Sequence, residues 1–223
     1  MRDRYLDALR GMAVIWMIIF HVSYDLRIFH YVDWDFSRGF WFAFPRVIAF
    51  IFLFCVGVSL HYTHTPKMQW NSLKKRILTL GGACLAVSVG TYLFFPSQWI
   101  FFGTLHCILT GSILGALVVN HRKLAAALLV IIVFSQYVLS YDISWVAAVI
   151  QKPSMDFIPI YPWFWVILAG IVLGPSLSRI RYLKEIKSNK FLNFLSQHSL
   201  KIYLLHQPLI FAVLWVMNEL TGR

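Results

Sequence analysis

Seven apolar runs divide the chain, at roughly 7–28, 40–60, 77–95, 101–119, 124–140, 162–177 and 198–217. Each approaches the ~20 residues a helix needs to cross the hydrocarbon of a bilayer. The connections between them alternate in charge. With the N-terminus inside, the inner segments hold thirteen cations: Arg2, Arg4, Lys67, Lys74, Lys75, Arg76, Arg122, Lys123, Arg179, Arg181, Lys184, Lys187 and Lys190. The outer segments hold four, Arg27, Arg38, Lys152 and Arg223. Cytoplasmic loops carry such an excess of Lys and Arg. The expected fold is therefore all-α: a polytopic membrane helix bundle of about seven transmembrane helices, N-terminus in and C-terminus out, with residues 1–223 as a single domain.

Composition supports this and removes other classes. Hydrophobic residues make up 59% and charged residues 13%, which excludes disorder and is foreign to a soluble domain. A formal charge of +11 would suit nucleic acid, but the cations sit in short loops between apolar runs, so no basic domain remains to grip phosphates. The first run is too long for a cleavable signal peptide and holds Arg10 and His21; it is expected to stay as a signal anchor. Cys55, Cys84 and Cys107 all lie in apolar runs, and an odd count without paired spacing reads as small buried fillers.

The first run carries charge where a span should carry none. On a helix, Arg10 and His21 lie within about 20° of each other, Asp7 and Asp25 each about 60° from Arg10, and Tyr24 about 40° away. The polar groups form one stripe among Met, Val, Ile, Trp and Phe. Ionisable residues inside a membrane segment face a bundle interior or a wet cavity and mark function. His21 and Asp25 are spaced i, i+4, so the carboxylate is placed to orient the imidazole as a catalytic base is oriented; the alternative is a structural bond sealing the helix end. Arg10 is open between two readings, an anchor for an anionic ligand and a snorkelling cation partnered by Asp7.

Further along, the loop Arg27–Gly39 is dense in aromatics and acids. The third span is rich in small residues (Gly81, Gly82, Ala83, Ser88, Gly90), which favour close helix approach. The fourth opens Phe101-Phe102-Gly103-Thr104-Leu105-His106 and carries the small-xxx-small pair Gly111 and Gly115. The fifth, Leu124–Leu139, has only Ser135 and Gln136 as polar members and is the best candidate to face lipid. Tyr161-Pro162-Trp163-Phe164-Trp165 is an interfacial aromatic cluster, and the basic segment 178–197 suits an interfacial helix. The last span holds Ser199, Tyr203, His206 and Gln207. His21, His106 and His206 are single intramembrane histidines. No HxH or HxxxH pair occurs within a span, so no metal is expected. His61 and His64 are read as solvated at the interface.

Four motifs then align with known proteins. Leu6-Asp7-Ala8-Leu9-Arg10-Gly11, with His21 closing the first span, resembles the opening of the transmembrane acyltransferases. Phe102-Gly103-Thr104-Leu105-His106, Tyr161-Pro162-Trp163-Phe164 with Gly170 and Gly174, and Ser199–Pro208 fit the heparan-α-glucosaminide N-acetyltransferase catalytic family, its short prokaryotic members above all. The resemblance implies one transmembrane acyltransferase domain in a prokaryotic cytoplasmic (inner) membrane. It implies acetyl-CoA, or another acyl-CoA, as a donor from the cytoplasm, and a small sugar or glycan acceptor on the far side. Matching the first-span histidine makes His21 catalytic, with Asp25; the heparan-type loop histidine brings in His30. Arg10, Lys74, Lys75 and Arg76 are the expected cradle for the CoA phosphates. Asp7, His106, Trp163, Tyr203, His206 and Gln207 are expected around the cavity. The partners would be membrane lipid, acyl-CoA and acceptor, not nucleic acid, with the chain a monomer or a homo-oligomer. The spacing His30-x4-Asp35, used by soluble glycerolipid acyltransferases, is a two-position match and is set aside as coincidence. A small ion-coupled transporter or channel using the same stripe is the rival class, and a structural membrane subunit the third.

Overall fold

The computed structural model describes residues 4–140, 154–180 and 189–221. Residues 141–153 of the expected long outer loop, residues 181–188 of the basic inner segment, and Arg2 and Arg223 lie outside the described residues. All regular structure among the described residues is helical: α1 (Arg4–Ile28), α2 (Gly39–His64), α3 (Trp70–Phe94), α4 (Thr104–Val118), α5 (Arg122–Tyr137), α6 (Ile160–Leu177), α7 (Lys190–Gln197) and α8 (Ser199–Thr221). Each apolar run has become a helix, as a chain with few exposed partners for its backbone requires. Five helices (α1, α2, α3, α6 and α8) are long and apolar enough to cross a membrane. α4 is apolar but has 15 residues, and α5 has 16, about 22–24 Å of rise, less than the ~30 Å hydrocarbon core.

The contacts divide into two compact units, Met1–Phe52 with Arg181–Arg223, and Leu53–Ile180. In the first, α1 packs along α7 and α8. Gly11 makes the α1–α7 contact possible: a Cβ there would stand 2.5 Å from the Leu192 carbonyl oxygen. α7 begins at Asn189, whose side-chain oxygen accepts from the backbone N–H groups of Phe191 and Leu192 (2.9 and 3.2 Å), an N-cap that satisfies two orphan donors. The aromatic loop folds onto α1, with Phe20 meeting Phe36 and Phe44 edge-on at 5.8 and 6.4 Å. These geometries favour ring quadrupoles.

The second unit has its core at Leu53, Leu60, Cys107, Val166, Ile167, Leu168 and Ile171. The end of α2 meets α6 backbone to backbone: a Cβ on Gly57 would run into the Ile167 carbonyl oxygen, and one on Gly170 would lie 2.5 Å from that of Phe54. Gly111 and Gly115 of α4 receive the Ile167 side chain as their spacing suggested, and a Cβ added at Gly111 would overlap its terminal methyl. The glycines of α3 serve no such approach, since a Cβ at Gly81, Gly82 or Gly90 would meet nothing within 4 Å among the described residues, whereas Ala83 is buried and Ser88 bonds to His106 of α4. α5 packs on α6, with Tyr161 donating to the Ser135 hydroxyl at 3.0 Å, while Val130, Ile131 and Phe134 remain exposed, in keeping with a lipid-facing helix. All three cysteines are free and buried. His64 corrects an expectation: it is 2% exposed, and its Nδ1 accepts from the Gln69 backbone N–H (3.2 Å), so it closes the α2–α3 turn rather than standing in interfacial water.

Candidate active site

α1 delivers its polar stripe to two places on its neighbours. At the first, Asp7 is buried at 5% exposure and accepts from the Ser196 hydroxyl of α7 at 2.8 Å. Arg10 donates to the same hydroxyl at 3.4 Å and lies 4.0 Å from Asp7. The Asp7-x-x-Arg10-Gly11 motif thus seats a short amphipathic helix: the acid and base share Ser196, and Gly11 admits the α7 backbone. Arg10 is partly exposed, so one side of its guanidinium fork stays available. Sequence reading missed Ser196. Its signal was a lone hydroxyl one residue after Leu195 on the buried face of α7.

The second place lies three turns further along. His21 of α1 and His206 of α8 pack edge to face, their ring centroids 4.6 Å apart at 88°. His21 Nδ1 donates to the Met17 carbonyl at 2.9 Å. His206 Nδ1 donates to the carbonyls of Tyr203 (2.7 Å) and Ile202 (3.2 Å). A carbonyl can only accept, so in each neutral ring the hydrogen sits on Nδ1 and Nε2 is a bare lone pair. One turn on, Asp25 is fully buried and its two oxygens accept from the Gln207 amide nitrogen at 2.9 and 3.0 Å. Asp25 therefore does not orient His21 through an i, i+4 bond. The His21 Nδ1 is taken by its own helix, and the carboxylate is taken by α8. Tyr203 completes the cluster, its ring 5.7 Å from that of His206.

His30 is placed differently. It is exposed and has φ +59°. Its N–H donates to the Arg27 carbonyl (3.0 Å), and the Tyr31 N–H reaches back to Leu26 (2.9 Å). This is the double bond that ends a helix in a left-handed residue. Asp35, the other half of the dismissed spacing, accepts from the Ser37 N–H (2.8 Å) and hydroxyl (2.5 Å). Those two bonds hold its carboxyl below the usual carboxylate range.

The remaining expected site residues belong to the second unit. His106 is occupied structurally. The Gly103 N–H donates to its Nδ1 (3.3 Å), its Nε2 faces the Ser88 hydroxyl (3.1 Å), and Ser88 donates onward to the Ile100 carbonyl (2.7 Å). The start of α4 is finished by Asp156, which no sequence pattern announced. Its carboxylate accepts from the Thr104 N–H (2.7 Å) and hydroxyl (3.2 Å), an anion at a helix N-terminus. Trp163 packs against the hydrophobic core. Arg76 donates to Ser112 at 3.1 Å, and Lys74 and Lys75 are exposed. No group of three potential metal ligands is gathered among the described residues.

Five helices long and apolar enough to cross a membrane, with a histidine pair packed between α1 and α8, fit an integral membrane protein. The chain belongs to the heparan-alpha-glucosaminide N-acetyltransferase catalytic family, whose model matches residues 2–208. That family makes it a membrane acetyltransferase. No curated protein and no solved structure is significantly similar to it.

Proposed function

We propose that the protein moves an acetyl group from cytosolic acetyl-CoA to an amine or hydroxyl on a small sugar or glycan acceptor at the outer face of a prokaryotic cytoplasmic membrane, with the whole chain acting as one catalytic domain. The observation that carries this reading is the His21–His206 pair, because two packed imidazoles with Nδ1 held by backbone carbonyls offer, in the neutral form, Nε2 atoms suited to take the proton of an attacking nucleophile. His21 is the general base. Arg10 stands eleven residues before it, about 17 Å along the helix, a separation an extended pantetheine arm can bridge. Arg10 then serves the CoA phosphates on the inner side. Asp25 takes part by fixing α8 rather than by orienting His21.

The N-in, C-out orientation rests on the charge asymmetry of the loops. The side of the C-terminus relative to the N-terminus does not depend on the two short helices, because α4 and α5 are consecutive: whether both cross or both re-enter, the parity of crossings is unchanged.

The test is transfer of labelled acetyl from acetyl-CoA by the purified chain in nanodiscs. His21→Ala is expected to lower the rate about 10²–10⁴-fold while acetyl-CoA affinity, read by calorimetry, stays within about twofold. Near-normal turnover in that variant would remove His21 from the mechanism.

A further inference from the structure

Two buried atoms beside His21 have no hydrogen-bond partner among the described residues: Nε2 of His206 and Oε1 of Gln207. Their neighbours make both of them acceptors. The His206 Nδ1 hydrogen is committed to the Tyr203 and Ile202 carbonyls, so its Nε2 offers a lone pair. Gln207 turns its amide nitrogen to both oxygens of Asp25, so its carbonyl oxygen is the free end. Buried polar groups are normally paired, and leaving one unpaired is costly. Here two stand on adjacent residues, and His206 is only 8% exposed. His206 stands in the wall of a cleft of about 450 Å³ with Ile18, His198, Lys201, Ile202 and Leu205, and Gln207 lies behind that wall, outside the lining.

Acceptor atoms call for a ligand that donates hydrogens. The thioester, the part of the donor that has to reach His21, has none to give. We propose that His206 Nε2 and Gln207 Oε1 seat the acyl acceptor, each taking one hydrogen bond from a primary amine or from two neighbouring hydroxyls, and that Asp25 is a positioning residue that holds the Gln207 amide in this orientation. The proposal rests on the acyl-transfer reading above. In the step, the seated nitrogen or oxygen bonds to the thioester carbonyl carbon and the carbon–sulfur bond breaks. As that bond forms, one hydrogen of the nucleophile leaves its seat acceptor for Nε2 of His21, whose ring packs against that of His206, and goes on to the departing CoA thiolate. An isolated hydroxyl has one hydrogen and leaves one of the two acceptors unpaired, so the seat selects against it.

The experiment uses the full chain in nanodiscs with acetyl-CoA, and D-glucosamine, D-glucose and cyclohexanol as acceptor probes. D-glucosamine or D-glucose is expected to be acetylated at least 10-fold more efficiently than cyclohexanol. Gln207→Met and His206→Phe keep the bulk and remove the acceptor atoms; each is expected to raise the KM for the sugar at least 10-fold with the KM and calorimetric affinity for acetyl-CoA unchanged. Asp25→Asn should raise the sugar KM several-fold, and the exchange Asp25→Asn with Gln207→Glu should restore it, because the amide and carboxylate then trade places. A sugar KM unchanged in both single variants, or donor and sugar KM rising together, overturns the proposal. So does a wild type that binds acetyl-CoA but acetylates neither sugar. A wild type that binds no acetyl-CoA overturns the acyltransferase reading itself, and the seat with it.

Discussion

At the scale of single residues, most polar side chains in this chain serve the local backbone, and the exceptions are informative. His30 ends α1 with a positive φ, a conformation glycine adopts without strain. His30→Gly is therefore expected to keep or slightly raise thermal stability and to leave acetyl transfer within about twofold. A stable variant that has lost transfer would move the catalytic base to the outer loop. Asp35 illustrates the electrostatic case. Its carboxyl is lowered first by the Ser37 hydroxyl, then by the Ser37 N–H, with Arg27 adding to both. A carboxyl lowered in the folded state stabilises its turn at pH values above its unfolded pKa. That contribution declines as pH falls below the unfolded value and is gone once pH has passed through the lower folded value, where the carboxyl itself takes up its proton. Trp34 and Trp41 stack beside this turn with centroids 5.0 Å apart, so their fluorescence is expected to hold as pH falls through the ordinary carboxylate range. Asp35→Asn should remove the pH-dependent part of any change seen below it. By contrast, Nε2 of His206 and Oε1 of Gln207 bond to no backbone group, and the proposed acceptor seat depends on that difference.

At the scale of elements, glycines separate helices that must touch from helices that need not. A Cβ at Gly57 or Gly170 would enter backbone atoms of the facing helix, and backbone cannot rotate aside as a side chain can. Gly170→Ala is expected to destabilise by about 1–3 kcal/mol or more, the range for overpacking, seen as a clear drop in melting temperature in detergent. Gly82→Ala, in a helix with open space at that position, is expected to be neutral or to stabilise by up to about 1 kcal/mol, because alanine is the better helix former. Equal effects at the two sites would show that the α2–α6 crossing is looser than these contacts require. Asp7, Arg10 and Gly11 work at this scale too: they hold α7, a helix of eight residues that is too short to be stable alone.

For the whole molecule, the first question is which side each end faces. If the N-terminus is inside and the C-terminus outside, as proposed above from the loop charges, an alkaline phosphatase fused after Arg223 is expected to be active while a fluorescent protein at the same point stays dark. The reverse result would invert the bundle and put His21 near the cytoplasmic face, where an acceptor from outside could not meet it.

Periodicity and hydropathy determined a great deal here. Apolar runs place every helix among the described residues except α7, whose basic segment pointed to an interfacial helix. The 3.6-residue repeat gathers Asp7, Arg10, His21 and Asp25 into one stripe, and the motifs are sufficient to indicate the family. What the sequence could not determine is which helix meets each face. Ser196 is 189 residues from Asp7, and Gln207 is 182 residues from Asp25; no local spacing encodes those pairs. The His21–Asp25 bond was the natural reading at i, i+4, yet the imidazole found a carbonyl on its own helix and the carboxylate found an amide on α8. Helix geometry settles the direction in which a side chain points, because it depends on neighbours a few residues away. Its partner is chosen only when distant segments pack, and in this protein that packing set the two imidazoles together and left two acceptors beside them unpaired.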